Sequence, residues 1–382
     1  MNRAWFFLAT VGITFCLLGA TSRQDDKKPE EKKKEETILG KTIGEWIKIL
    51  RTHESPKYRR AALIALEYSN TATRAGLGAI VEASEKDKEP QVRLEAVLLL
   101  GRLGSEARPA FKALLAALQA DKADAVREAA ATALGNDKFK DQAADYVPVL
   151  AEALKDPHPG TRIAVAGALR NIGENAKPAF PVLLAAAKNP KEETLVRLAA
   201  LHLLSRYGKD DPQTLPLLLD LLKNADTPAS LRETAIDGLG RSGSDSAEVL
   251  AALSAALVEK NIEMRKAAAI SLGTLGVKAK LAWPTIKPRL SEKTEPEGSI
   301  RNHLIRLAGT LAKQEPEAIA QLTAVTKDDK STENRIAAIQ ELAELGALAK
   351  DAIPTLTGLA TQDPRAAIRE AASKAIQQIG GT

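Results

Sequence analysis

The sequence predicts an all-α chain wound into a right-handed superhelix of about ten helical hairpins. Three observations lead there. An arginine returns as Arg59, Arg93, Arg127, Arg162, Arg197, Arg232, Arg265, Arg301, Arg335 and Arg369, at intervals of 33 to 36 residues. Apolar residues mostly stand one before each arginine and three, seven and ten after it, as in Met264, Ala268, Leu272 and Leu275 around Arg265. A spacing of that kind gathers them on one face of a helix. Eleven residues after the arginine comes a glycine in seven copies. Ten copies at a near-fixed period of this length mark a stacked-repeat architecture.

Within each unit the arginine helix is the second of two. The glycines are Gly104, Gly173, Gly208, Gly243, Gly276, Gly346 and Gly380, with Asn70 in an eighth copy. Glycine, then asparagine, suits the left-handed residue that stops a helix. A second amphipathic run follows each stop. Pro109, Pro181, Pro216, Pro284 and Pro354 open several of them, and a first helical turn has no use for the N–H that proline lacks. Alanine three residues after the arginine lets a neighbouring helix come close.

An acid stands six residues before the arginine in eight copies: Asp87, Asp121, Asp156, Asp226, Glu259, Glu295, Asp329 and Asp363. His53 and Lys191 are the exceptions. The position lies in the turn before the second helix, where the positive helix end favours an anion. The acid is also in reach of an arginine in its own or the adjacent unit.

This Asp-turn-Arg phrase, with Ala, Leu and Gly at the quoted offsets, resembles HEAT repeats in their short bacterial form, over roughly residues 41–380. The resemblance implies that acid and arginine are buried in the stack as a hydrogen-bonded ladder. Its members would be Asp87 and Arg93, Asp121 and Arg127, Asp156 and Arg162, Asp226 and Arg232, Asp329 and Arg335, and Asp363 and Arg369. Tetratricopeptide units of the same period need aromatic residues, and aromatics make up 3% of this chain. The Thr-Pro-Leu-His phrase of ankyrin units is absent.

In chain order, residues 1–22 read as a secretory signal or an uncleaved anchor. Arg3 is basic, Trp5 to Leu18 is an apolar run, and Gly19 to Ser22 are small. Export places the protein in the periplasm or cell envelope. Cys16 is the single cysteine, so removal of the leader leaves no disulfide and no thiolate site. Residues 23–37 form a charged linker with little to bury. The solenoid fills 38–382. Thr42 is an N-cap for a helix over Ile43 to Leu50. Trp46 covers the open end of the first unit, since terminal repeats need a cap. Asn136 to Asp145 is an irregular linker, Ser291 to Ser299 a longer loop, and Trp283 a core contact. The last helix ends at Ile379, and with ten units spaced by about 8–10 Å the body is elongated.

Signals for chemistry are weak. His53, His158, His202 and His303 lie in four different units, and no pair has metal-ligand spacing. HEAT-like iron enzymes carry several His-Glu dipeptides, and this chain has His53-Glu54 alone. No phosphate loop, nucleophile elbow or His-Glu-x-x-His helix is present. The sequence therefore points to no enzyme, no cofactor and no metal. A net charge of +5 over 382 residues is a mild excess, without the clustered basic stripe that a nucleic-acid surface needs.

The remaining expectation is geometric. Positions one, five and nine after the arginine point away from the core. In HEAT solenoids the second helices line the concave face, so these positions should face a groove. The groove residues are Leu94, Leu98 and Arg102 in the second unit, Ile163, Gly167 and Asn171 in the fourth, and Leu198, His202 and Arg206 in the fifth. Glu233, Asp237 and Arg241 follow in the sixth, and Asn302, Arg306 and Thr310 in the eighth. The front half is the more apolar. The reading is a monomeric scaffold with a protein docked along units two to five. The competing possibility is that curvature buries Leu94, Ile163 and Leu198 between units. Alternatives for function are an enzyme-accessory factor related to the bilin lyases, which carry similar short repeats, and a nucleic-acid-binding protein.

Overall fold

The computed structural model describes residues 37–103 and 108–380. The leader, Cys16, residues 23–36 of the linker and Gly104 lie outside them. The described chain is an all-α superhelix of ten hairpins. The first helices are α1 (Ile43–Thr52), α3 (Asn70–Lys86), α5 (Arg108–Ala120), α7 (Ala143–Ala153), α9 (Phe180–Lys188), α11 (Thr214–Lys223), α13 (Ala247–Leu257), α15 (Trp283–Ile286, continued by a 3₁₀ turn to Leu290), α17 (Glu317–Asp328) and α19 (Ile353–Gln362). The second helices carry the arginines. They are α2 (Pro56–Glu67), α4 (Pro90–Leu103), α6 (Asp124–Leu134), α8 (Pro159–Ile172), α10 (Thr194–Tyr207), α12 (Ala229–Arg241), α14 (Ile262–Leu275), α16 (Gly298–Leu311), α18 (Thr332–Glu344) and α20 (Ala366–Gly380).

The N-terminal end is closed by a two-stranded hairpin, β1 (Thr37–Ile38) and β2 (Lys41–Thr42), which the sequence pattern does not announce. Leu39 and Gly40 both have positive φ, as a tight two-residue hairpin turn requires. Thr42 caps α1 through a reciprocal pair of hydrogen bonds with Glu45. Trp46 is buried, and its Nε1–H donates to the Ile38 carbonyl at 2.7 Å. The hairpin and the indole together cover the first unit.

One turn design recurs. Asp87 ends α3 in extended conformation, and its Oδ1 accepts the Glu89 N–H at 2.9 Å. The chain is thereby folded toward α4, which opens on Pro90. Arg93 then ties two units together. Its Nη1 donates to the Asp87 carbonyl of its own turn at 3.0 Å. Its Nε and Nη2 fork onto Asp121 of the next unit at 2.7 and 2.8 Å. The acid of one turn thus serves its own unit through the carbonyl and the preceding unit through the carboxylate. Arg59 with Asp87, Arg127 with Asp156, Arg265 with Glu295 and Arg301 with Asp329 repeat the arrangement, whereas Arg335 donates its Nε to the Thr326 carbonyl of its own unit and only its Nη2 to Asp363. Arg369 ends the series on the Asp363 and Pro364 carbonyls.

Two units depart from the expected ladder, and the reason is a shift in register. In units five and six the first helix ends on Asn189 and Asn224, eight residues before the arginine. Asn189 Oδ1 accepts the Lys191 N–H, and Asn224 Oδ1 accepts the Asp226 N–H. Two residues have been added to the turn, so the place six before the arginine faces water. That explains Lys191, and it removes Asp226, which is exposed and touches no arginine. In unit five Glu192 and Glu193 take over and hold Arg162. Arg232 is held by Glu259 instead.

The second helices of neighbouring units lie against each other along much of their length, while the first helices meet more sparingly. The second helices therefore form the inner, concave side. Small residues allow this. A Cβ on Gly135 would lie 2.6 Å from Ala168 Cα, and one on Gly101 2.6 Å from Ala133 Cβ. Both glycines stand eight residues after the arginine, a regularity more telling than the alanine at position three. Gly173, Gly243, Gly276 and Gly346 have the expected positive φ. Gly208 does not, and Gly380 still belongs to α20. Asn70 is no stop: Ser69 caps α3 immediately, so Asn70 opens the next helix. After Gly173, Gly276 and Gly346 the linker is a 3₁₀ turn with buried alanines, as at Ala176 and Ala179.

The ladder makes a measurable demand. Arg301 and Asp329 are 2% and 5% exposed. Burial pushes the Asp329 carboxyl up, but the Arg301 fork, the Ser331 N–H and the Asn334 amide together hold it below its ordinary value. Asp329→Ala strands a buried guanidinium and should cost about 3–5 kcal/mol in urea unfolding. Glu82→Ala removes the exposed partner of Arg51 and should cost about 0–1 kcal/mol. Equal losses would show that the rung does not carry the stack.

Candidate functional site: the inner face

The inner face is built from positions one, five and nine of the second helices. Position one is less open than the spacing suggests. Leu94, Ile163 and Leu198 are half-buried and pack against the core. The glycines that bring these helices together also pull position one into the seam between units. Gly167 is half-buried as well. Of the apolar residues expected in the groove, Leu98 alone is exposed, at 37%.

Positions five and nine do face outward. Arg102 is exposed and paired with Glu67 of the preceding unit. His202 is exposed. Desolvation of its ring, and then the Arg170 charge, lower its pKa against the pull of Asp237. Arg206 is exposed and lies 5.7 Å from the Tyr207 ring centre. Asn171 reaches back to the Gly135 carbonyl at 3.4 Å. Further along, Arg241 binds Asp237 at 2.8 Å, and Asn302 donates to Asn334 at 3.1 Å. Glu233 is half-buried, and Arg306 and Thr310 are exposed.

The same spacing, extended to the first unit, finds residues that the sequence reading passed over. Ile64 and Tyr68 are 55% and 77% exposed at positions five and nine. With Leu98 on the neighbouring second helix they put three exposed apolar side chains at the N-terminal end of the inner face. Arg60, at position one, binds Glu95 of the second unit at 2.9 Å. A second overlooked feature is Glu341. Its carboxylate occupies the room left by the missing side chain of Gly309, with Arg306 Nη1 4.0 Å away. Burial, and then Glu344, raise its pKa to about 7, against a smaller effect of Arg306.

Among the described residues no group of His, Cys, Asp and Glu is placed to hold a metal ion, and no helix is long and apolar enough to cross a membrane. The histidines stay apart. His53 stacks on Tyr58 with ring centres 4.3 Å apart, His158 stands just before the first turn of α8 without a side-chain hydrogen bond to it, and His303 is half-buried on α16.

A family model described as HEAT repeats matches residues 43–135, 111–194, 215–297 and 283–377. No curated protein matches the sequence. Among solved structures, an engineered protein is similar over 88% of this chain and 98% of its own, with a TM-score of 0.57 and 19% identity. Importin beta is similar over 88% of this chain and 54% of its own, with a TM-score of 0.58 and 14% identity. The karyopherin Kap121p, bound to the extreme C-terminus of the protein phosphatase Cdc14p, matches at a TM-score of 0.54 and 16% identity, over 88% of this chain and 41% of its own. The chain spans about half or less of importin beta and of Kap121p.

Glu341 gives the inner face a pH dependence of known sign. A carboxyl whose folded pKa lies above its unfolded value holds more protons in the folded state. Its contribution is therefore fully present below the unfolded pKa and is lost as pH rises toward 7. Glu341→Gln should raise stability by roughly 1–3 kcal/mol at pH 8 and change little at pH 4. Urea midpoints of both proteins from pH 4 to 8 check this. Parallel curves would place the carboxyl in water.

Proposed function

The chain belongs to the HEAT-repeat family, and we propose that it is an exported, non-enzymatic scaffold that binds another protein along its concave face. The observation that carries this reading is the exposed apolar patch of Ile64, Tyr68 and Leu98, set on a surface already shaped by the stack. Contiguous apolar surface of useful size marks interaction sites, and solenoids bind through extended concave surfaces. A preformed face loses little conformational freedom when a partner docks. Solenoids of the same fold include Kap121p crystallised with the C-terminus of Cdc14p, which makes a protein ligand a natural occupant of such a surface.

The site is centred further toward the N-terminus than the sequence spacing suggests. Units one and two supply the apolar contacts, and Arg102, His202 and Arg206 supply polar ones behind them. Leu94, Ile163 and Leu198 are left to hold the units together. Export rests on the basic start and the apolar run from Trp5 to Leu18. The protein then works as a monomer in the periplasm or cell envelope.

The test is affinity capture from the cell envelope fraction of the source cells, with mass spectrometry of the retained proteins. The wild-type chain should retain a specific protein. An Ile64→Asp, Leu98→Asp double variant, confirmed as folded by circular dichroism, should lose it by tenfold or more. Retention unchanged in the variant would remove the patch from the binding site. Recovery of the protein itself from the cytosol would overturn export.

A further inference from the structure

The ladder has one missing rung. Arg197 is 6% exposed, yet no carboxylate among the described residues meets it. Its Nε donates to the Ala187 carbonyl at 3.1 Å, at the end of its own unit's first helix. Arg232 starts in the same way, with Nε on the Leu222 carbonyl at 3.2 Å. Arg232 then puts its two Nη atoms on Glu259 of the next unit. Arg197 has the first contact and lacks the second.

The turn that should supply the acid explains the gap. The turns of units five and six share their geometry, each built on an asparagine that accepts the N–H two residues on. Laid over one another, Glu192 and Glu193 of unit five fall on Thr227 and Pro228 of unit six. The two residues that hold Arg162 are thus replaced by a buried Thr227 and a proline. Asp226 falls on Lys191 and faces water. Burial alone acts on the Arg197 guanidinium and lowers its pKa, with no neighbouring charge to offset it. A buried, unneutralised guanidinium is costly, and planar bidentate recognition of carboxylate is what this group does best.

We propose that the seam between units five and six is a receptor for an external carboxylate, which forks onto the Nη atoms of Arg197 where the other units use their own Asp or Glu. This site lies at the turns, away from the inner face, and stands whether or not the inner face binds a protein. The carboxylate is either a small free acid or an acidic side chain of a partner.

The test uses the full chain and ¹³C-formate, with line broadening followed at constant ionic strength. Wild-type protein should broaden the signal saturably. Arg197→Gln should weaken binding roughly tenfold or more. Thr227→Glu keeps the arginine and supplies the missing acid from within. It should abolish the formate response and raise the thermal midpoint, so the test survives if Arg197→Gln fails to fold. A blocked Gly-Glu-Gly peptide that competes with formate at tenfold lower concentration assigns the site to a partner's side chain. Competition no better than acetate assigns it to a free acid. Absence of saturable broadening, or equal broadening in wild type and Thr227→Glu, overturns the proposal. So does a wild-type chain that ignores formate while Asp226→Asn binds it, because Asp226 would then close the gap itself.

Discussion

The stack depends on one forked contact, an arginine guanidinium held between two turns. A helical hairpin of this size buries its apolar stripe only against its neighbours, and apolar contact is non-directional. It would tolerate units rotated or slid by several ångströms. The guanidinium does not. Its Nη1 is fixed by the carbonyls of its own turn, and its Nε and Nη2 must meet two oxygens of the next turn at once. A buried ion pair is weak as net stabilisation, since desolvation offsets much of the attraction. Its effect here is on register: each unit is set at one angle and height relative to the last. The shape of the inner face follows from that repeated setting together with the glycines that bring the second helices close.

The sequence made the architecture legible because period, apolar spacing and the arginine are all local signals repeated ten times. Errors arose where the repeat is inexact. Two added residues in the turns of units five and six move the helix-ending place from six to eight before the arginine and put asparagine there, so counting from Arg232 selected Asp226, a solvent residue. At position one of the inner face the sequence leaves two alternatives, groove or seam, for a different reason. A helical wheel gives direction from one axis, but Leu94, Ile163 and Leu198 are covered by the neighbouring helix. The signal for that was present as Gly101 and Gly135, whose spacing to the arginine repeats and went unused. Ile64 and Tyr68 follow the ordinary rule and needed only its extension to the first unit.

The polar half of the inner face has its own logic. Arg241 and Asp237 neutralise one another on one helix, and Asn302 donates to Asn334 of the next unit. Such pairs add little stability when exposed, but they leave a surface of alternating sign with no broad basic field. A long-range attraction for nucleic acid would need that field. The exposed apolar residues at the N-terminal end, Ile64, Tyr68 and Leu98, stand apart from this self-paired surface.

Units five and six show what happens when the fork is absent. A stacked-repeat protein is nearly one-dimensional, so its cooperativity is set by its weakest interface. At this seam the charge contact is replaced by backbone proximity. A Cβ on Gly238 would lie 2.5 Å from Ser205 Oγ, and Ser205 leans on the Thr234 carbonyl at 3.4 Å. The two halves of the solenoid are thus joined on the inner side by close small residues and on the turn side by a guanidinium lacking its acid. Close packing resists separation of the helices but allows rotation about the contact, whereas a completed fork resists both. Any anion that completes the fork on the turn side would stiffen the solenoid at its middle, and with it the curvature of the face that units one to ten share.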